Sequence, residues 1–391
     1  MTGVQVATNS GLFQEALHVL PGGNTRSTLF VPPSAPYAAV GDGAHVVDVD
    51  GHKVIDCNNN YTSLIHGHRF RPVLEKVHEI VEQGTSFGLP TESEIRLAEE
   101  LSRRLPAAEQ WRFVNSGTEA VMQAIRIARA HTGRDVIVRF AGSYHGTSDA
   151  VVDLTMPGIP RSVADSVVTL PVGDAEQFKA FVQERGREVA AVLIDLMPNR
   201  AGLKPADESF VALVREETKA HDALLIIDEV ITFRSSFEGL QGVYGVEPDL
   251  TTLGKVIGGG FPVGAVGGKA TVMGATNPAL PGTIVWGGTF SANPVTMNAG
   301  LIALDYFQQE DIRELNAKGD ALREGLLKAG VRCSGFGSLI RIFPDDMNTT
   351  WWGAYSEGLL FGTNGLIALS TAMDDATVEK ILQCVINVSK F

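Results

Sequence analysis

The sequence predicts an α/β fold, a mostly parallel central sheet in a large domain with a smaller α+β domain, and three observations carry that expectation. Residues 136–140, 191–196 and 223–228 are continuous apolar runs of strand length separated by helical stretches, the pattern of parallel strands covered on both faces. The stretch after Ser116 sets Val121, Ala124, Ile125 and Ala128 on one face, the spacing of an amphipathic helix packed on such a sheet. From Asp311 the pattern changes: a helix over 311–329, a strand-like 337–343, an irregular passage through Trp351-Trp352, an apolar run over 365–370 and a last helix from Asp374.

Upstream, residues 1–50 read as a helix over 10–19, the turn Pro21-Gly22-Gly23, an extended proline-containing stretch and a small hairpin closing at Asp50-Gly51. Helices over 73–83 and 92–105 lead into the sheet. The expected organisation is an N-terminal segment (1–50) packing with the small domain, a large domain over 51–308 and a small C-terminal domain over 309–391.

Composition narrows the function classes. A chain of 391 residues has room for two or three domains at roughly 150 residues each. Hydrophobic residues at 44% and charged residues at 20% exclude a disordered or fibrous chain. A net charge of −13 has the wrong sign for a phosphate-backbone binder, so no nucleic-acid partner is expected. Cys57, Cys333 and Cys384 form no CxxC pair and suit a reducing, cytoplasmic setting. The first twenty residues lack a basic region followed by an apolar core, so no signal peptide is expected. Residues 270–304 carry no charge, but Pro278, Pro281 and Pro294 interrupt them, contrary to a bilayer helix. Such a stretch suits the lining of a buried site or an interface.

Five features could carry chemistry. The strand run ends in Asp228 and Glu229, and in open α/β sheets ligands sit at the carboxyl ends of strands; a solvated strand end is the plainer reading. Lys255 lies between an apolar run and Gly258-Gly259-Gly260, a setting that lowers a lysine's pKa and makes it nucleophilic, although a surface turn also accommodates a lysine. No phosphate-loop pattern, GxGxxG or GxxxxGK[ST], matches around these glycines. Ser116, Gly117 and Thr118 open a helix, where backbone N–H groups can hold a phosphate or simply be capped. Tyr144 in GSYHG offers a flat ring between glycines, and Thr289 sits in the charge-poor WGGTFSANP.

Taken together, a lysine, a carboxylate, a phosphate cup and a flat ring suit pyridoxal 5'-phosphate, which needs a Schiff-base lysine and a partner for its ring nitrogen. Competing readings are weaker. Ser143, His145 and Asp149 lack the GxSxG context of a hydrolase. His66 and His68 have no third metal ligand at recognisable spacing, so no metal is expected.

At this point the chain resembles the class III (fold type I) pyridoxal-phosphate aminotransferases, in the branch holding glutamate-1-semialdehyde 2,1-aminomutase and β-amino-acid aminotransferases. The resemblance rests on PGGNTRS (21–27), VVDVDGHKVIDC (46–57), RFVNSGTEAVMQAIRIARAHTGR (112–134), GSYHGTSD (142–149), HDALLIIDEV (221–230), PDLTTLGKVIGGGFPVGAVGG (248–268) and GGTFSANPVTM (287–297). It implies a homodimer with small-molecule amino donor and oxo-acid acceptor. Lys255 then matches the Schiff-base lysine, Asp228 the pyridinium partner, Ser116, Gly117 and Thr118 the phosphate cup, Tyr144 the ring against the cofactor and Val230 the apolar residue beneath it. Thr289 matches the threonine reaching the neighbouring subunit's phosphate, and Arg26 an arginine that holds a substrate carboxylate. Tyr61 stands where the aminomutases carry a tryptophan, and Asp195 where the family has a glutamate followed by proline. The expected activity is transfer of an amino group from a non-standard, for example β-, amino acid; intramolecular transfer as in the aminomutase is the second reading. Racemisation, and cofactor binding without turnover, are the remaining two.

Overall fold

Residues 8–389 are described in a computed structural model. The chain divides into two compact units: Pro72–Arg313 forms one, and the segment up to Arg71 joins the segment from Glu314 onward in the other. In the second of these, a helix over Asn9–Leu17 is capped by Thr8, whose side chain accepts from the Gly11 amide. Three antiparallel strands follow: β1 (Ala38–Asp42), β2 (His45–Asp48) and β3 (Lys53–Asp56). The turn between β2 and β3 holds Asp50-Gly51, where Gly51 has φ of 85°.

The central unit is built on seven strands: β4 (Gln110–Val114), β5 (Val136–Phe140), β6 (Val167–Leu170), β7 (Val189–Ile194), β8 (Leu224–Asp228), β9 (Leu250–Gly254) and β10 (Gly264–Gly268). Their order is β4-β10-β9-β8-β7-β5-β6, with β10 antiparallel to both neighbours and the remaining pairs parallel. The fold is therefore α/β, as the apolar runs predict, with boundaries within two residues of those read from sequence. The helix Gly117–Thr132 lays Ala120, Val121, Ala124, Ile125 and Ala128 against Ile137, Ala191, Leu193, Ile226 and Val266 in one buried cluster. Burying each of the larger aliphatic side chains contributes about 1.5–3 kcal/mol, which fixes the helix start relative to the strand ends. Gly264 of β10 is needed for that fit: a Cβ there would collide with the Ser116 carbonyl.

After the helix Gln309–Lys328, which crosses from one unit into the other, come β11 (Cys333–Phe336), β12 (Leu339–Ile342), β13 (Leu359–Leu360) and β14 (Leu366–Ala368). β11, β12 and β14 form an antiparallel sheet, whereas β13 pairs in parallel with β3, Leu359 opposite Ile55. This pairing accounts for residues 51–71, expected in the large domain, grouping with the C-terminal segment instead. The passage around Trp351-Trp352, expected to be irregular, is a helix over Met347–Ser356. Asp346 caps it by accepting from the Thr349 amide, Trp351 stacks on Tyr355 at 5.3 Å, and the Trp351 indole donates to the Phe361 carbonyl at 2.9 Å. No helix among the described residues is long and apolar enough to cross a membrane.

Candidate active site

The carboxyl ends of β7, β8 and β9 lie side by side, with Ile194 opposite Ile227 and Asp228 opposite Thr252. Three charged residues therefore emerge from neighbouring strands: Asp195 just past β7, Asp228 at the end of β8 and Lys255 just past β9. Lys255 adopts φ of 50°, a left-handed conformation uncommon for a residue with a side chain and found where a turn must aim a group. Burial pushes its ammonium below the ordinary lysine range, while the charges of Asp228 and Asp195 pull the other way. A lysine placed so can lose its proton to become a nucleophile and regain it afterwards.

Asp228 is buried and held by three neighbours. Its Oδ2 lies 2.7 Å from His145 Nδ1, and its Oδ1 accepts from the Val230 amide at 3.0 Å and the Thr252 hydroxyl at 3.2 Å. His145 is itself 2% exposed and its Nε2 has no hydrogen-bond partner among the described residues. Asp195 is buried as well, and its carboxyl is raised to about 7, first by desolvation and then by the negative charge of Asp228. Its Oδ1 accepts from the Met197 amide at 2.9 Å.

Ser116 caps the helix Gly117–Thr132, its hydroxyl accepting from the Glu119 amide at 3.1 Å. That leaves the first-turn N–H groups of a sixteen-residue helix directed outward, an anion site by geometry and dipole. A Cβ on Gly117 would stand 3.0 Å from Val230 Cγ1, and one on Gly146 2.6 Å from Thr118 Oγ1. The bare backbone thus brings Val230, Thr118 and the GSYHG loop into contact. Tyr144 is part-exposed at 36% and carries the Arg200 guanidinium 4.3 Å from its ring centroid.

The structure brings Lys255 and Asp228 into one electrostatic cluster, and sets Gly117 and Thr118 against Val230 and the loop bearing Tyr144. Thr289 is exposed in another loop, in a groove shared with Phe87, Leu89 and Asn293. Arg26 and Tyr61 belong to the other unit, where the guanidinium lies 5.6 Å from the tyrosine ring. His66 and His68 are engaged structurally, with Thr371 Oγ1 at 2.8 Å and Asp56 Oδ2 at 2.7 Å. Sequence reasoning missed His145 as the partner of Asp228, weighing it only for a hydrolase triad; its place beside Tyr144 in GSYHG was the available signal. Arg200 carried no signal at all.

The donor set fits a phosphorylated, protonatable aromatic aldehyde: a lysine able to shed its proton, a carboxylate held by histidine, a helix start opened by Gly117 and an aromatic ring. The class is an α/β enzyme with a strand-end lysine and carboxylate, and the Aminotransferase class-III family profile matches residues 34–381. The chain belongs to the class III aminotransferases, enzymes of fold type I that depend on pyridoxal 5'-phosphate. It is 42% identical over 334 residues to a glutamate-1-semialdehyde 2,1-aminomutase of Heliobacterium modesticaldum, covering 81% of this chain and 76% of that one. Among solved structures it is similar to an omega-transaminase from Sphaerobacter thermophilus, with a TM-score of 0.95, 41% identity and coverage of 98% and 97%. A β-phenylalanine aminotransferase from Variovorax paradoxus superposes with a TM-score of 0.90 at 32% identity, covering 97% of this chain and 93% of its own.

Proposed function

We propose that the protein is an aminotransferase whose amino donor is a carboxylate-bearing compound other than an ordinary α-amino acid, with β-amino acids first among them. The strand-end cluster of Lys255, Asp228 and His145 carries the amino-transfer part of this reading, and the similarity to an omega-transaminase and a β-phenylalanine aminotransferase supports the donor class. Pyridoxal phosphate, when bound, supplies an aldehyde that takes up the donor's amino group and a cationic ring that accepts the electron pair left on deprotonation. Lys255 Nζ would anchor that aldehyde and, when free, would act as general base and acid, taking a proton from the donor carbon and giving one back. Asp228, itself held by His145, would hold the ring N–H. The N–H groups from Ser116 to Thr118 would take the phosphate, Val230 and Tyr144 would flank the ring, and in a homodimer Thr289 of the partner subunit would complete the phosphate site.

Arg26 takes the donor carboxylate. This role rests on its place in PGGNTRS and on the match between a guanidinium fork and a carboxylate. Tyr61 lies beside it, in place of the aminomutase tryptophan, and favours transfer between two molecules.

The 42% identity to proteins named aminomutases supports the second reading, in which the amino group moves within one molecule. A half reaction separates them: cofactor-loaded enzyme is mixed with α-, β- and ω-amino donors, without acceptor, and the cofactor absorbance and oxo product are followed. Stoichiometric oxo acid with the cofactor left as its amine is the expected result. If no donor releases an oxo acid while an amino-aldehyde is converted to its positional isomer, the aminomutase reading replaces it. Lys255→Ala is expected to lower kcat by more than about 10³-fold, the scale of losing a general base and its covalent step together.

A further inference from the structure

Four consecutive residues, Asn59, Asn60, Tyr61 and Thr62, have φ of 48°, 48°, 54° and 75°. A left-handed turn of side-chain-bearing residues costs about 1–2 kcal/mol per residue, less for asparagine, and persists only where its surroundings impose it. Here they do. Asp56 Oδ1 accepts from the amides of Asn58 and Asn59, each at 2.9 Å. The Asn59 side chain is buried and donates to the Ala368 carbonyl at 2.8 Å, and the Tyr61 amide donates to Asn58 Oδ1 at 2.6 Å. The Tyr61 hydroxyl donates to the Thr28 carbonyl at 2.6 Å, tying the turn to the segment that follows Arg26.

What this turn presents is Asn60, and its amide can face only one way. Asn60 Nδ2 donates to Ser63 Oγ at 3.1 Å, while the Ser63 hydroxyl donates to the Asn60 carbonyl at 3.0 Å. The serine's proton is thereby committed, so it can only accept from the amide, and Asn60 Oδ1 is left to accept from Arg26 Nη1 at 2.8 Å. No protein group among the described residues accepts from Arg26 Nε or Nη2. The guanidinium is thus held by one corner with a two-donor edge exposed, the geometry that receives a carboxylate through two parallel hydrogen bonds. Asparagine also holds the fork without neutralising its charge, which an aspartate there would do.

We propose that Asn60, fixed by the left-handed turn and by Ser63, is a positioning residue that sets the Arg26 fork and makes the enzyme select substrates bearing a carboxylate. The inference rests on the carboxylate-binding role given to Arg26 above. Asn60→Gly is the informative variant, because glycine keeps the left-handed backbone without strain while removing Oδ1; Ser63→Ala leaves the Asn60 side chain but frees its amide to turn.

The test uses cofactor-loaded enzyme and two readouts. The first is the ratio of kcat/KM for a β-amino acid to that for the corresponding amine without a carboxylate. The second is the dissociation constant of 3-phenylpropanoate, measured by calorimetry, which needs no turnover. In Asn60→Gly the ratio is expected to fall about tenfold through KM, and the carboxylate to bind about tenfold more weakly, the scale of one hydrogen bond to a charged group; Ser63→Ala is expected to move both in the same direction. An unchanged ratio and dissociation constant in Asn60→Gly, or equal losses for both donors, would overturn the proposal. If the wild type fails the half reaction with every donor, the aminotransferase reading fails, and the calorimetric comparison of wild type, Asn60→Gly and Arg26→Ala still decides the role of Asn60. Binding by the wild type no tighter than by Arg26→Ala would remove the subsite and the proposal with it.

Discussion

Asp228 and Glu229 follow one another in the chain, yet their carboxylates serve opposite sides of the strand end. Asp228 faces His145 and the strand-end cluster. Glu229, fully buried, accepts from the Leu240 amide at 3.1 Å and also from the Gln241 amide and the Thr232 hydroxyl. It thereby shapes the loop after β8. An amide nitrogen cannot accept, so Glu229→Gln strands at least one of these donors, and chemical denaturation is expected to show a loss of about 1–3 kcal/mol. Burial is the main cause that lifts Glu229, like Asp195, to about 7. Both carboxyl groups are therefore easier to hold neutral than ionised in the folded protein. Their contribution to stability is fully present below the ordinary carboxyl pKa near 4 and is lost as pH rises through about 7. The melting temperature is expected to fall across that window, and Asp195→Asn to flatten part of the fall. An Asp195→Asn protein with the full wild-type slope would contradict the assignment.

At the scale of elements, the start of the helix Gly117–Thr132 depends on what approaches it as much as on its own residues. Gly146 has φ of 101°, and a Cβ there would come within 2.8 Å of the Thr118 backbone. Gly146→Ala is expected to cost about 1–3 kcal/mol of stability from the backbone conformation alone and to weaken cofactor binding measurably in a fluorescence titration. This helix and its three neighbouring strands were legible because an apolar period survives burial on two faces. The helix over Met347–Ser356 was not, because it is held by tertiary partners: Trp351 reaches Phe361, and Tyr355 donates to Asp48 Oδ2 at 2.8 Å, far away in sequence. Likewise Lys255, Asp228 and the helix-start glycines stand out in the sequence by type and context. The Asp228–His145 pair does not, since its members are 83 residues apart. The left-handed turn at Asn59–Thr62 is equally silent, since only Asn58, Asn59 and Asn60 mark it and asparagine has many other uses.

For the whole molecule, the exposed side chains of the central unit include Phe87 at 52%, Leu89 at 77%, Val285 at 89% and Phe290 at 60%. Apolar groups so exposed around the charge-poor loop fit the proposed subunit interface. Sedimentation is expected to give a dimer, and Phe290→Asp to shift it towards monomer while weakening cofactor binding through loss of the partner's Thr289. A monomeric wild type with normal cofactor affinity would rule out that arrangement. The parallel pairing of β13 with β3 bears on how the chain is made. Every strand of the seven-stranded sheet lies between Gln110 and Gly268, so all of its pairings can form while the last part of the chain is still inside the ribosome. The sheet begun by β1, β2 and β3 must wait for Leu359–Leu360, some three hundred residues later in translation. Through that interval β3 offers a bare edge to whatever else is nearby. During synthesis, then, the edge of β3 is an aggregation hazard that outlasts the closing of the central sheet's own pairings.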